Sequence, residues 1–131
     1  MARTEANADQ ADNVASAAII ANLVVTAVML FALFTGTVPH PPLEVAPFAL
    51  ALFFGATLAL GAAALYLARH HARLGAALAL LFALACLVSF GPQKYFDPMF
   101  DRIWPAVITG QFATAAILFN GAATMLRRRH R

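Results

Sequence analysis

Long apolar runs alternate with short polar connections along the chain. The apolar runs cover about residues 14–35, 47–68, 74–90 and 103–126. Each run reaches the roughly 17 to 25 residues that a helix needs to cross the hydrocarbon core of a bilayer. The pattern predicts an all-α integral membrane protein, in which four transmembrane helices form an antiparallel bundle with short loops.

The charged residues are confined to the termini and to the connections between these runs. The nine Lys or Arg and six Asp or Glu residues make fifteen charged side chains, and all of them fall outside the four runs. The composition is 62% hydrophobic and 11% charged, whereas a soluble domain is about half apolar and a quarter charged. Both observations indicate a membrane protein rather than a soluble core.

The two ends and the first connection differ in character from the runs. Residues 1–13 are polar and lack apolar periodicity, so a flexible tail is expected, with Asp12 or Asn13 as the cap of the first helix. Residues 36–46 hold three prolines and a glycine, which interrupt a helix. The predicted organisation is a tail over residues 1–13, a transmembrane domain over residues 14–126, and a basic tail over residues 127–131.

Basic residues in the connections predict the orientation. Arg69 and Arg73 lie between the second and third runs, and four arginines follow the fourth run. Because basic residues concentrate on the cytoplasmic side, both termini are expected there. The positive charge therefore indicates topology or contact with anionic lipid headgroups, not nucleic acid. Eight of the nine basic residues are arginine and alanine is abundant, so a bacterial inner membrane protein is expected.

Small residues recur at helical spacing and predict close helix packing. The second and third runs are expected to pair through their stripes across a tight basic turn. Phe53, Phe54 and Phe82 are then expected to face lipid or a partner protein. The stripes are Thr57, Gly61, Ala64 and Ala68 in the second run, Gly75, Ala79, Ala83 and Cys86 in the third, and Thr109, Ala113, Ala116, Asn120 and Thr124 in the fourth.

Three amide side chains stand at depth in the apolar runs: Asn22, Gln111 and Asn120. The ordinary interpretation is interhelical hydrogen bonding, with Asn22 paired to Asn120. The alternative is a polar lining for a pore or a site for a quinone headgroup. No Asp, Glu or His lies inside the four runs, which argues against a proton-coupled small multidrug exporter.

Residues 91–105, which we term the aromatic segment, alternate charges with aromatic side chains. An aromatic belt at the lipid headgroups accounts for Tyr95 and Trp104, and Lys94 and Arg102 are expected to neutralise the carboxylates. Aromatic residues beside an arginine also make good anchors for a partner protein. The candidate interaction residues are Lys94, Tyr95, Phe96, Asp97, Phe100, Asp101, Arg102 and Trp104.

No catalytic, metal or cofactor site is predicted. His40, His70 and His71 lie outside the apolar runs, so axial haem ligation at depth is not favoured, and His40 with Glu44 makes a weak metal pair. Cys86 belongs to no metal or redox motif.

Function is left with three hypotheses. The leading one is an accessory or scaffolding subunit, not an enzyme, that binds membrane lipids and other membrane proteins or copies of itself. The alternatives are an oligomeric small-molecule transporter or channel, and a membrane enzyme or binding protein for a lipid or quinone.

Overall fold

The computed structural model describes the backbone over residues 2–38 and 47–127, and side chains over residues 10–38 and 48–126. Within these residues the chain is all-helical, and four helices are long and apolar enough to span a membrane. They are α1 (Ala2–Thr35), α2 (Pro47–His70), α3 (Ala72–Phe90) and α4 (Phe100–Arg127), with a short 3-10 helix, Pro92–Phe96, between α3 and α4.

Helix α1 begins at Ala2, upstream of the predicted cap at Asp12 or Asn13. Alanine recurs among the polar residues of this segment, and alanine has the highest helix propensity. The change from polar to apolar residues therefore occurs inside one continuous helix, and the predicted helix start was wrong. Flexibility of residues 1–13 stays a prediction.

A single residue, His71, separates α2 from α3. Its N–H donates to the carbonyl of Leu67 at 2.7 Å, and the N–H of Gly75 donates to the carbonyl of His71 at 2.9 Å. A Cβ atom on Gly75 would lie 2.5 Å from the Cα of Ala68. The absence of a side chain at Gly75 thus allows α3 to start directly against the end of α2.

The helices pack as a ring in which α1 contacts α2 and α4, and α3 contacts the same two neighbours. The contact between α2 and α3 is the most extensive, as the small-residue stripes predict. The stripe on α3 is buried along its length: Gly75, Ala79, Ala83 and Cys86. The stripes on the other helices end in exposed residues, Ala68 on α2 and Thr109 on α4.

Phe82 corrects the prediction that the large aromatic residues face lipid. Its side chain is fully buried, Phe54 is also buried, and Phe53 is half-buried. A Cβ atom on Gly61 would lie 2.8 Å from the Phe82 ring and 2.7 Å from Leu23. Gly61 therefore leaves space for a ring from α3, since close packing fills the gap beside a small residue.

Candidate functional site

A hydrogen bond between buried side chains joins α1 to α4. The Nδ2 atom of Asn22 donates to the Oγ1 atom of Thr114 at 3.0 Å, and both side chains are almost fully buried. The predicted partner, Asn120, instead donates to the carbonyl of Ala116 on its own helix at 2.8 Å. Asn120 lies six residues beyond Thr114, roughly 9 Å along the helix axis. The predicted pairing of Asn22 with Asn120 was therefore wrong.

Two polar atoms beside this hydrogen bond have no partner in the structure. They are Oδ1 of Asn22 and Oγ1 of Thr26, each with less than 1 Å² of exposed surface. Asn22 and Thr26 are one helical turn apart and share a face of α1. An unpaired buried polar group costs about 1 to 3 kcal/mol. We term Asn22, Thr26 and Thr114 the polar seam.

A cavity of about 490 Å³ opens at the end of the bundle where α2 turns into α3. All four helices contribute to its wall, and we term it the end cavity. Asp12 and Arg69 bring opposite charges to the cavity, and Ser16, Asn120 and Thr124 bring neutral polar groups. Asn120, which the sequence singled out, thus lines a cavity rather than pairing with Asn22.

The end cavity and the polar seam lie on the same face of α1. Asp12, Ser16, Ile19, Asn22 and Thr26 follow one another at steps of three or four residues, the spacing of a single helix face. Ile19 lines the end cavity and is 3% exposed. The apolar pattern of the sequence did not predict this face of α1, because the pattern does not indicate which helix packs against it.

The two adjacent histidines lie beside the end cavity. His70 and His71 line a more open cavity of about 730 Å³ that shares Asp12 and Arg69 with it. The His70 ring lies 4.9 Å from the Tyr66 ring, centroid to centroid.

Gln111 connects the aromatic segment to the bundle. Its Nε2 atom donates to the carbonyl of Phe90, the last residue of α3, at 3.0 Å. Its Oε1 atom accepts a hydrogen bond from the Tyr95 hydroxyl at 2.6 Å. One amide on α4 thereby joins α3 to the 3-10 helix, and each polar atom of the Gln111 amide has a structural partner.

Gln93 makes a second attachment. Its Nε2 atom donates to the carbonyls of Leu87 at 3.1 Å and Val88 at 2.7 Å. Carbonyls in the last turn of a helix have no partner within that helix. Gln93 therefore caps the end of α3 while it anchors the 3-10 helix that follows.

Asp97 is held from two sides. Its Oδ2 atom pairs with Lys94 Nζ at 2.8 Å, and its Oδ1 atom accepts a hydrogen bond from the Met99 N–H at 2.9 Å. The hydrogen bond from Lys94, together with that from Met99, lowers the pKa of Asp97 below its ordinary value. Lys94 thus neutralises Asp97 as expected, and a carboxylate bound in this way is poorly placed for acid–base chemistry on a lipid or quinone.

The aromatic side chains of this segment are displayed unequally. Phe96 is 90% exposed, and Tyr95 and Trp104 are about half exposed. Phe100 is partly buried, with its ring 5.3 Å from that of Tyr95. The charged side chains of Asp101 and Arg102 are exposed at the start of α4. Among the aromatic side chains of this segment, Phe96 is the most exposed.

Residues 10–38 and 48–126 contain no group of three or more His, Cys, Asp or Glu that could hold a metal ion. The weak metal pair of His40 and Glu44, and the basic tail beyond Arg127, lie outside the described residues.

Comparison with known proteins gives no relative from which a function can be transferred. The chain matches no protein-family model, and no curated protein and no solved structure shows significant similarity to it.

Proposed function

We propose that this small multi-pass membrane protein is an accessory or scaffolding subunit that binds another membrane protein through the aromatic segment. The observation that carries the proposal is the side chain of Phe96, 90% exposed on a segment that Gln111 holds against the end of α3. A large apolar side chain on a firmly held backbone is typical of a docking anchor.

Attachment of the segment matters because binding costs free energy for every group that must be ordered. A loop that is already held by hydrogen bonds loses less conformational freedom when a partner arrives. Gln93, Lys94 and Tyr95 each make such a bond. Arg102 and Trp104 flank the surface, and Arg and Trp are enriched among residues that dominate binding energy.

The proposal includes an orientation in the membrane. We propose an antiparallel bundle with both termini cytoplasmic, which follows from the arginines in the α2–α3 turn and after α4. The aromatic segment then lies on the outer face of a bacterial inner membrane. Fusion of a reporter enzyme that is active on one side only, at residue 97 and at residue 131, tests this orientation.

The docking proposal is tested by photocrosslinking in the native host. A photoreactive phenylalanine analogue replaces Phe96 in one variant and Phe119, which is 79% exposed on α4, in the control. A discrete protein adduct at position 96, absent at position 119, is the expected result. Lipid adducts at both positions without protein would identify Phe96 as part of an aromatic belt and overturn the docking proposal.

Two substitutions refine this test in mild detergent. Phe96→Ala is expected to release the co-purifying protein, whereas Phe119→Ala should retain it. A partner that survives Phe96→Ala would show that docking uses another surface.

A transporter or channel is a second candidate, which the position of Asn120 favours. Asn120 lines the end cavity, and a pathway needs polar groups that water reaches. Four short helices rarely enclose a pathway alone, so this function implies a homo-oligomer. With Cys86 replaced by alanine, a cysteine at Asn120 should react with a water-soluble thiol reagent, and a cysteine that stays unreactive would exclude the pathway.

A further inference from the structure

Along α1, the end cavity and the polar seam are separated by less than one helical turn. Ile19 lines the cavity, and Asn22 follows three residues later, roughly 4.5 Å along α1. On α4, Ile117 lies between Asn120, which lines the cavity, and Thr114, which accepts the hydrogen bond from Asn22. Ile19 and Ile117 are 3% and 1% exposed. The buried side chains of Ile19 and Ile117 thus lie between the end cavity and the polar seam.

The unpaired atoms of the seam define the chemistry that suits them. Oδ1 of Asn22 accepts hydrogen bonds only, whereas the hydroxyl of Thr26 both donates and accepts. The side chains that form the seam are an amide and two hydroxyls, so they suit an uncharged molecule. Residues one turn apart on a helix lie about 5 to 6 Å apart at Cβ, which lets one small molecule reach both atoms.

We propose that the polar seam is a water-binding site, in which a water molecule donates to Oδ1 of Asn22, bonds the hydroxyl of Thr26, and exchanges with the end cavity past Ile19 and Ile117. Buried water characteristically satisfies polar groups that have no protein partner. In a bilayer the surrounding lipid offers no substitute, so the unpaired atoms have a strong requirement for such a molecule.

The site stands independently of docking through Phe96. It deepens the second candidate function, because a water-binding site behind a cavity is one element of a pathway. If cysteines placed in the polar seam are not labelled, the water-binding site is contradicted. If they are labelled but vesicles show no solute flux, only the transport function is contradicted.

Thiol labelling in lipid vesicles tests the site with full-length protein in which Cys86 is replaced by alanine. The probe is a small, water-soluble methanethiosulfonate, which reacts with the thiolate and therefore requires local hydration. The test variants are Asn22→Cys and Thr26→Cys. Ser16→Cys in the end cavity is the reactive control, and Val24→Cys, at similar depth with 56% of its side chain exposed on the outer surface of the bundle, is the lipid-facing control.

Cysteines in the seam are expected to react roughly tenfold faster than the cysteine at Val24, and more slowly than the one at Ser16. Adding Ile19→Ala should raise the rate at Asn22→Cys, because a smaller side chain opens the way from the cavity. Seam cysteines that react no faster than the Val24 control, while Ser16→Cys reacts, would overturn the proposal.

Thr26→Val provides a second measurement that keeps the shape of the side chain. If the hydroxyl binds water, its loss should lower the thermal unfolding midpoint. If the seam is dry, removal of an unpaired hydroxyl should raise it, and that result would overturn the proposal. Thr57→Val is the matched control, since the Thr57 hydroxyl already donates to the carbonyl of Phe53 at 2.8 Å.

Discussion

Asn22 on α1 donates a hydrogen bond to Thr114 on α4 at 3.0 Å, between residues that are 92 positions apart in the chain. Both side chains are buried, so the bond is shielded from solvent. It joins the first helix to the last, and it favours one axial offset of α4 relative to α1. A shift of one turn along α4 would replace Thr114 as the residue opposite Asn22.

A double-mutant cycle measures this hydrogen bond. Asn22→Ala and Thr114→Val each remove one partner, and the coupling free energy is expected to be about 0.6 kcal/mol, with about 1.7 kcal/mol as the upper end for side-chain hydrogen bonds in membrane helices. Unfolding in a denaturing detergent gives the four free energies. Additive effects of the two substitutions would contradict the interaction.

A side chain at Gly61 is expected to be destabilising, because a Cβ atom there would lie 2.7 Å from the Leu23 side chain and 2.8 Å from the Phe82 ring. Gly61→Ala should cost about 1 to 3 kcal/mol through overpacking. Gly55→Ala on the same helix is the control, since nothing lies within 4 Å of its Cβ position. Adding Phe82→Leu to Gly61→Ala replaces the neighbouring ring with a smaller side chain and should recover part of the lost stability. Equal stability of Gly61→Ala and Gly55→Ala would contradict the close contact between α2 and α3 at Gly61.

Gln111→Leu is expected to release the aromatic segment from the end of α3. It removes the hydrogen bonds to Tyr95 and Phe90, each worth about 0.5 to 1.5 kcal/mol. Amide hydrogen exchange over residues 91–99 should accelerate. Tyr95→Phe, which removes only one of the two bonds, should have a smaller effect, and unchanged exchange in Gln111→Leu would rule out the attachment.

The pair formed by Asp97 and Lys94 predicts a loss of local stability in acid. Hydrogen bonds from Lys94 and Met99 lower the pKa of Asp97 from its ordinary value of 3.8. Since the folded pKa is below the unfolded one, the stabilisation is present above pH 3.8 and is lost as the pH falls through the folded pKa. The loss should be about 0.2 to 1 kcal/mol, because the pair is partly exposed.

Fluorescence of Trp104, the one tryptophan in the chain, is the measurement, because Trp104 belongs to the same aromatic segment as the pair. A change is expected in the wild-type protein as the pH falls below 3.8, and it should be smaller in Asp97→Asn. A profile that is the same in both proteins would assign the change to another group.

The sequence by itself predicted four helices that are long and apolar enough to span a membrane. The apolar run 47–68 became Pro47–His70, and the run 74–90 became Ala72–Phe90. Length and charge suffice here, because the cost of burying a charge in hydrocarbon and the thickness of the bilayer act on each segment separately. Helical spacing also placed the small residues of α3 on a buried face, since that spacing is a property of one helix.

Only the tertiary structure decided which side chains meet between helices. The partner of Asn22, the burial of Phe82 and the end cavity beside Asn120 all depend on the rotation and axial offset of one helix against another. Gln111 shows the same limit, because its partners belong to α3 and to the 3-10 helix. Helix packing is set by contacts between residues distant in the chain. The period of a single helix carries no information about the axial offset of its neighbour.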